Sequence, residues 1–349
     1  MEKTNAARRL SFASDYMEGC HPRILQRLAE TNMEQSPGYG LDGHSEAARR
    51  LIREACQAPD AEIFFLAGGT QANAVTLGAL LRPWQCVLAA GSGHISVHEA
   101  GAIEAGGHKV AALPHRDGRL AAQDVRRAFR DWQEDANRDH MPMPGLVYLS
   151  QPTECGTLYS LAELEALGEV CREAGMLLYV DGARLAYALG CPANDASLAD
   201  IASIADAFYI GGTKCGALFG EAVVFPRPGT APRFFTQVKR AGALLAKGRI
   251  AGIQFQALFE DGLYARLGQQ AVAAADRIRD ALCARGFRLA YPSPTNQIFV
   301  DLSAEERAGL ERIADIAFWE KSGEGRAVMR IATSWATRKE DVDELLALL

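Results

Sequence analysis

The chain of 349 residues has no apolar run long enough to cross a membrane, and it has no excess of basic residues. Its formal net charge is −6, so neither nucleic acid nor an anionic membrane is an expected partner. The sequence also lacks internal repeats and low-complexity segments. Hydrophobic residues make up 48% of the chain and charged residues 23%, which is typical of a soluble globular protein with a sizeable core.

The cysteines lack the spacing of a zinc site or of a secreted disulfide framework. Eight of them are scattered along the chain, at positions 20, 56, 86, 155, 171, 191, 215 and 283. No two form a Cys-x-x-Cys pair, and this distribution is typical of a reducing cytoplasm. The opening residues MEKTNAARRL are basic but are not followed by the apolar segment of a signal peptide. We therefore expect a cytoplasmic protein.

Two apolar segments in the middle of the chain each lead to a polar residue. A strand predicted for 176–180 ends at Asp181, and a strand predicted for 207–210 leads through Gly-Gly-Thr to Lys214. Ligands of open α/β sheets bind outside the carboxyl ends of the strands, so both side chains should face one crevice. Pyridoxal phosphate (PLP) needs a lysine amine for its Schiff base and a carboxylate that keeps its pyridine nitrogen protonated. Alternatively, both residues are ordinary loop residues.

A second motif has the form of a phosphate site. A strand predicted for 63–67 is followed by Gly68, Gly69 and Thr70, and then by a helix predicted for 71–81. Free backbone N–H groups and the helix dipole attract a phosphate at such a turn. The motif is neither a Walker loop nor a dinucleotide fingerprint, because the residues that end those motifs are missing. The alternative is a helix start without a ligand.

His94 follows Gly-Ser-Gly at the predicted end of a third strand, and His98 lies four residues further on. No third ligand lies nearby, so we expect no metal site. A histidine at the carboxyl edge of the sheet is a candidate for contact with the cofactor ring, although a structural role is the alternative.

Arg330 lies within the apolar segment 328–332, where a guanidinium needs a partner because unpaired burial is costly. That partner is either a substrate carboxylate, held bidentately, or a structural Asp or Glu.

The N-terminal segment is polar and shows little periodicity. The sequence alone favours an arm that packs on a neighbouring subunit. The alternative is that Ser14, Asp15 and Tyr39 reach an active site.

Strands and helices alternate as far as about residue 225, which predicts an α/β fold with a mostly parallel sheet covered on both faces. After residue 225 the sequence predicts mostly helix, and the C-terminal end of the chain is predicted to form a small α+β unit. We predict an N-terminal arm over 1–44, a large PLP-binding domain over 45–255 and a small C-terminal domain over 256–349.

Four segments together carry a family resemblance: FLAGGTQAN, HISVHEAG, VDGARLAYA and GGTKCGALFGEAVVF. They resemble the threonine aldolase and aromatic amino acid β-eliminating lyase family of fold-type-I PLP enzymes. The order of parts matches from Ser14 to Arg330, which is nearly the whole chain. The resemblance implies a fold-type-I PLP-dependent transferase-like fold, PLP as the cofactor and an amino acid as the substrate.

The resemblance also implies roles for individual residues at the cofactor. Lys214 resembles the Schiff-base lysine, and Asp181 the partner of the pyridine nitrogen. Arg184 resembles the arginine beside the oxygen of the ring, and His94 the imidazole stacked on the ring. Gly69–Thr70 is similar to the phosphate-binding turn.

Substrate and subunit contacts follow from the same resemblance. Ser14 and Arg330 match the residues that hold the substrate carboxylate. The helical segment after residue 225 carries a basic stripe of Lys239, Arg240, Lys247 and Arg249. Such a stripe is usually a solvated surface, but the resemblance implies that Lys247 or Arg249 contributes to a neighbour's phosphate site. The resemblance further implies a homodimer or homotetramer with shared active sites.

One departure from the family pattern concerns the side chain near the substrate's β-hydroxyl. Threonine aldolases carry a second histidine after the fourth strand, whereas this chain has Gln-Pro-Thr followed by Glu154 at that place. A carboxylate can act as a general base toward a hydroxyl, so Glu154 is the candidate base, with a water held by His94 as the alternative.

The sequence thus predicts a lyase that cleaves a threonine-like β-hydroxy-α-amino acid into glycine and an aldehyde. A β-eliminating lyase or an aminotransferase is the alternative among enzymes, and release of pyruvate, ammonia or an oxo acid would distinguish it. A non-catalytic binding protein with this fold is disfavoured, since Lys214, Asp181 and Arg330 are all present.

Overall fold

The computed structural model describes residues 9–349. The prediction that the chain starts without a signal peptide rests largely on residues 1–8, which lie outside the described residues, as does the beginning of the predicted arm over 1–44. No helix between residues 9 and 349 is both long and apolar enough to cross a membrane.

The strands of the described chain are β1 (Leu10–Ser11), β2 (Glu62–Leu66), β3 (Gln85–Ala90), β4 (Val110–Leu113), β5 (Met143–Ser150), β6 (Leu177–Asp181), β7 (Ala207–Gly211), β8 (Glu221–Phe225), β9 (Arg288–Leu289), β10 (Gln297–Ser303), β11 (Ala314–Asp315), β12 (Ala317–Gly323) and β13 (Arg326–Ala332).

The α-helices of the same residues are α1 (Pro22–Glu30), α2 (Gly43–Ala55), α3 (Gly69–Leu80), α4 (His94–Val97), α5 (Ala102–Ala105), α6 (Ala122–Glu134), α7 (Leu161–Ala174), α8 (Leu185–Leu189), α9 (Leu198–Ile204), α10 (Phe234–Arg240), α11 (Arg249–Phe259), α12 (Leu263–Ala284), α13 (Ala304–Ile313) and α14 (Lys339–Leu348).

Local sequence signals start several of these helices. The side chains of Ser160, Ser197 and Ser303 each accept a hydrogen bond from the backbone N–H of the residue three positions later. That residue is acidic, and its carboxylate accepts a hydrogen bond from the backbone N–H of the serine. Such a capping box satisfies two helix N–H groups that otherwise lack partners. It therefore sets where α7, α9 and α13 begin.

Seven strands of the described chain form the central sheet, in the order β2-β8-β7-β6-β5-β3-β4. β8 runs antiparallel to both of its neighbours, and the other pairs in the sheet are parallel. The predicted α/β fold with a mostly parallel sheet is therefore confirmed. Because the parallel strands share one direction, their carboxyl ends lie along one edge.

Apolar side chains cover both faces of this sheet. On one face, Leu88, Val147 and Val180 are buried in a cluster that includes residues of α7. On the other face, Val87 and Leu146 are buried in a cluster with residues of α3. Buried parallel strands of this kind read as nearly continuous apolar runs, which is why the sequence indicated them.

A second, antiparallel sheet lies toward the C-terminus, in the order β12-β13-β10-β9, with α12, α13 and α14 near it. A separate apolar cluster joins this sheet to α12 and α14. The first described strand, β1, pairs in parallel with β11 in a separate two-stranded sheet, and Leu10 and Ala314 of this pair are buried in the same apolar cluster.

Candidate active site

The loops that follow the parallel strands enclose a cavity of about 330 Å³ at the carboxyl edge of the central sheet. Seven residues that the sequence predicted for the site line this cavity: Gly69, Thr70, His94, Glu154, Asp181, Arg184 and Lys214. Asp181 is the last residue of β6, and Lys214 follows β7 by three residues. The parallel arrangement of the strands thus brings together residues that are far apart in sequence.

Asp181 is buried and hydrogen-bonded on several sides. Its Oδ2 accepts hydrogen bonds from the Tyr148 hydroxyl at 2.7 Å and from the Asn73 amide at 3.0 Å. Burial opposes ionisation, but the charge that His94 can carry and hydrogen bonds from Tyr209, Tyr148 and Asn73 outweigh it and lower the pKa of Asp181. The carboxyl group is therefore held as an anion in the floor of the cavity.

Lys214 is prepared for nucleophilic chemistry by its surroundings. Desolvation of the amine and the nearby positive charge of Arg184 lower the pKa of Lys214. A larger share of the amine is then neutral, which is the nucleophilic form. The Nζ atom lies 5.9 Å from the centroid of the Tyr16 ring, which also lines the cavity.

Glu221 holds the loop that carries Lys214, a role that the sequence analysis missed. Its Oε1 accepts a hydrogen bond from the Thr213 hydroxyl at 2.8 Å, and its Oε2 accepts one from the Gly212 N–H at 3.1 Å. Burial raises the pKa of Glu221 to about 8, despite these hydrogen bonds and the nearby charge of Lys214. The available signal was an acidic residue at the start of the apolar strand EAVVF.

Arg184 forms a bidentate ion pair with Asp15. The Arg184 Nε and Nη2 atoms donate to the two carboxylate oxygens at 2.6 and 3.0 Å, and the Asn296 amide donates to one of them at 2.9 Å. Burial opposes ionisation of Asp15, but Arg184 outweighs it and lowers the pKa of Asp15 to about 2. The pair fixes the orientation of Arg184 at the edge of the cavity.

Residues 10–15 of the predicted N-terminal arm pack on their own chain. Leu10 and Phe12 are buried in the same apolar cluster as the second sheet, and Asp15 is fully buried beside Arg184. Tyr39, in contrast, lines a different cavity, where the Lys239 Nζ lies 4.8 Å from the centroid of its ring. The favoured interpretation, an arm on a neighbouring subunit, is therefore wrong for residues 10–15, because their apolar side chains fill a core of this chain.

Arg330 and Ser14 lie together where the second sheet meets the arm. The Arg330 guanidinium donates to the Gln297 side chain at 3.2 Å and to the Ala13 carbonyl at 2.9 Å, and no carboxylate of residues 9–349 pairs with it. Its Nε and the Ser14 Oγ are buried without a hydrogen-bond partner. The sequence allowed two partners for Arg330, a substrate carboxylate or a structural Asp or Glu. Among residues 9–349 no Asp or Glu forms an ion pair with it, so the structural partner is not found there.

Glu154 is buried and joined to the start of α4. Its Oε1 accepts hydrogen bonds from the His94 backbone N–H at 2.9 Å and from the Ser150 hydroxyl at 2.6 Å. Burial is the main cause that raises the pKa of Glu154 above its usual value. A carboxyl group with a raised pKa is better matched to proton transfer near neutral pH than an exposed one.

Three buried tyrosines at the cavity, of which Tyr209 lines it, escaped the sequence analysis. Tyr148, Tyr179 and Tyr209 each lie two residues before the end of β5, β6 and β7. Side chains two residues apart in a strand point to the same face, so Tyr179 shares a face with Asp181. The repeated tyrosine in VYLS, LYVD and FYIG was the signal that could have revealed this row.

The two candidates for a shared phosphate site differ in their availability. Arg249 donates hydrogen bonds to the carbonyls of Thr31, Asn32 and Glu34, just beyond α1. Lys247 is exposed. Arg249 is therefore engaged in holding its own chain, whereas the Lys247 amine is accessible from outside.

The donor set of the cavity fits PLP. The N-terminus of α3 has no side-chain cap, so its first N–H groups are available to a phosphate. Gly69 suits a close approach, since a Cβ there would lie 3.1 Å from the Tyr209 hydroxyl. Lys214 and the Asp181 anion supply the amine and the partner for a pyridine nitrogen. In residues 9–349 no group of three or more His, Cys, Asp or Glu side chains is arranged to hold a metal ion.

Residues 11–305 match the family described as β-eliminating lyase, which is most of the chain. The chain belongs to the β-eliminating lyase family. The family is PLP-dependent, and membership in it makes this protein an enzyme of the lyase type. The family resemblance predicted from the sequence is thereby confirmed.

Two members with close similarity are threonine aldolases. The low specificity L-threonine aldolase of Pseudomonas aeruginosa is 32% identical over 340 residues, which cover 96% of this chain and 95% of that protein. The solved structure of Leishmania major threonine aldolase is 44% identical and has a TM-score of 0.93, over 97% of this chain and 98% of that one. Aspartate aminotransferase of Thermus thermophilus, at 16% identity and a TM-score of 0.72, shares the fold alone.

We predict that Asp15→Asn destabilises the protein at pH 7 by about 3–5 kcal/mol, because Arg184 is left buried without its counter-charge. The low pKa of Asp15 contributes stability that is present above the unfolded-state pKa of about 4 and is lost as the pH falls toward 2. The difference in the free energy of unfolding between wild type and variant should therefore narrow by about 1 kcal/mol between pH 7 and pH 3.

Urea unfolding followed by circular dichroism at both pH values measures this difference. Glu18→Gln, a change at an exposed carboxylate of the same arm, is the control and should have little effect. A loss that is the same at pH 7 and pH 3 would contradict the assigned ion pair.

Proposed function

We propose that this enzyme is a PLP-dependent lyase that cleaves the Cα–Cβ bond of a β-hydroxy-α-amino acid, with threonine as the reference substrate and glycine and an aldehyde as products. The observation that carries the proposal is that Lys214, Asp181, His94 and Glu154 line one cavity. The choice of threonine is supported by full-length similarity to threonine aldolases.

PLP, when bound, supplies an electron sink for the electrons of the broken Cα–Cβ bond. Lys214 is the residue to which we assign its attachment, and the Asp181 anion would keep the pyridine nitrogen protonated. His94 would lie against the ring, with Arg184 beside its oxygen. Gly69 and Thr70, at the N-terminus of α3, would bind the phosphate.

Arg330 and Ser14 are assigned to the substrate carboxylate. Their unpartnered buried atoms, the Nε of Arg330 and the Oγ of Ser14, are donors that a carboxylate would satisfy. The guanidinium is already oriented by Gln297 and Ala13, so little further ordering is needed when a substrate binds.

Glu154 is assigned as the base that takes the proton of the β-hydroxyl while the carbon–carbon bond breaks. Its Oε1 is already hydrogen-bonded, which orients the carboxyl group within the cavity lining. The raised pKa increases its strength as a base toward an alcohol. A water held by His94 is the alternative base.

We further infer a cytoplasmic homodimer or homotetramer in which active sites are shared between subunits. Lys247 is the better candidate for the residue that reaches a neighbour's phosphate site, because Arg249 is bound to backbone carbonyls of its own chain. The predicted division into an arm over 1–44, a large domain over 45–255 and a small domain over 256–349 is part of the same proposal.

The first test is product analysis with threonine and a panel of other amino acids. The purified protein should absorb visible light from bound PLP and should release glycine and acetaldehyde from threonine. Borohydride should fix the cofactor covalently on Lys214, and Lys214→Ala should reduce the activity to background while the exposed Lys321→Ala does not. A label on Lys239 or Lys247 would contradict the assignment, and pyruvate with ammonia as the products would indicate β-elimination instead.

We predict that Glu154→Gln lowers kcat for threonine by about 10²–10⁴-fold, the usual contribution of one general base. The amide keeps an oxygen for the His94 N–H and the Ser150 hydroxyl, so binding of threonine, followed by the visible spectrum, should change little. Ser150→Ala is the control, because it removes one anchor of Glu154 but leaves the carboxylate. Equal slowing of binding and of glycine release in Glu154→Gln, with a similar result in Ser150→Ala, would assign Glu154 to loop order rather than to proton transfer.

Shared active sites make activity dependent on assembly. Light scattering should show a dimer or a tetramer. Lys247→Ala should weaken the binding of PLP but should leave the dimer or tetramer intact. The exposed Lys321→Ala serves again as the control. A monomer that retains full activity would contradict the proposal.

A further inference from the structure

Glu99 is a buried acid next to the cavity to which the proposed reaction assigns no role. Its side chain has no exposed surface, whereas the side chain of His94 is 32% exposed. A buried carboxylate is costly unless it is paired and hydrogen-bonded. Its retention beside a cavity residue therefore calls for a physical reason.

The Glu99 carboxylate contacts the side chains of His94 and Asn73. The Glu99 Oε1 lies 2.7 Å from the His94 Nδ1 and also accepts a hydrogen bond from the Asn73 amide at 2.7 Å. The backbone turns sharply directly after Glu99, since Ala100 and Gly101 both have positive φ angles, of 51° and 73°. A left-handed alanine costs free energy, so the turn that follows Glu99 is kept at some expense.

Asn73 orients the carboxylate. This asparagine lies on α3 with no exposed surface, and its oxygen accepts a hydrogen bond from the Tyr179 hydroxyl at 3.1 Å. Its amide nitrogen donates to Glu99 and also to Asp181, at 3.0 Å. One amide thus holds the acid behind His94 and the acid in the floor of the cavity at a fixed separation.

The bond between Glu99 and His94 determines which ring nitrogen carries the proton. An ionised carboxylate can only accept hydrogen bonds, so the His94 Nδ1 must carry a proton to donate. The neutral ring then keeps a lone pair on Nε2, and that nitrogen becomes an acceptor. Carboxylates behind histidines fix tautomer and ring orientation in this way in many protein sites.

We propose that Glu99 is a positioning residue that holds the neutral form of the His94 ring as the Nδ1–H tautomer, with Nε2 as the acceptor on the cavity side. The inference rests on the proposed function only for the use that the enzyme makes of this acceptor, namely contact with the cofactor ring or with a water beside the substrate. The tautomer itself is a property of the hydrogen bonds among Glu99, Asn73 and His94.

The test is ¹⁵N NMR of the purified holoenzyme with ¹⁵N-labelled histidine, in which His94→Asn identifies the His94 signals. Wild type should show His94 protonated on Nδ1. In Glu99→Gln a neutral amide replaces the charged acceptor and can itself donate, so the ratio of Nδ1–H to Nε2–H tautomers should fall by about tenfold or more. Glu104→Gln, an exposed acid five residues further on, should leave the ratio unchanged.

Two results would overturn the inference: His94 protonated on Nε2 in wild type, or the same tautomer ratio in wild type and Glu99→Gln. If Glu99→Gln does not fold, the wild-type spectrum alone tests the inference, because it shows which nitrogen of the His94 ring carries the proton. In the activity assay, Glu99→Gln should lower kcat for threonine more than it raises KM. Absence of threonine cleavage in wild type together with an Nδ1–H tautomer would overturn the proposed function but not the role of Glu99.

Discussion

A buried anion, Asp181, imposes the main physical requirement on this structure. Only 4% of the residue is exposed, so water cannot stabilise its charge, and hydrogen-bond donors of the protein must do so. These donors come from different parts of the chain: Tyr148 lies on β5 and Asn73 lies on α3. The stable ionised state of Asp181 therefore depends on the sheet and its covering helix being assembled together.

The same principle extends around the cavity. Arg184 is neutralised by Asp15 of the N-terminal arm, and Glu221 is hydrogen-bonded to the loop that carries Lys214. Arg184 and Glu221 are thus held in one orientation by other groups of the folded chain. Groups fixed in this way need little rearrangement when charge develops during a reaction, which is how preorganised sites lower a barrier. Asp15 is thus a residue of the arm that orients a cavity residue of its own chain.

The strands, the helices and the family could be predicted from residues close together in sequence. Continuous apolar runs indicated the buried parallel strands, and Gly-Gly-Thr indicated where α3 starts, although the helix begins at Gly69 rather than after Thr70. The partners of the candidate residues could not be predicted in the same way. Asp15 and Arg184 are separated by 169 positions, and no periodicity or local propensity relates such residues. The placement of residues 10–15 was wrong for the same reason, since a short apolar segment does not indicate which core it will fill.

The amino-acid sequence by itself determined which elements form and which chemical groups end the strands, because apolar periodicity and turn residues act over a few positions. It also placed Asp181 and Lys214 at the carboxyl edge, since parallel strands share that edge. Only the tertiary structure decided which groups meet around them: Asp15 with Arg184, Glu221 with the Lys214 loop, and Glu99 with His94 and Asn73. The physical reason is that hydrogen bonds between buried polar groups depend on distances of about 3 Å, which are set by the packing of distant segments.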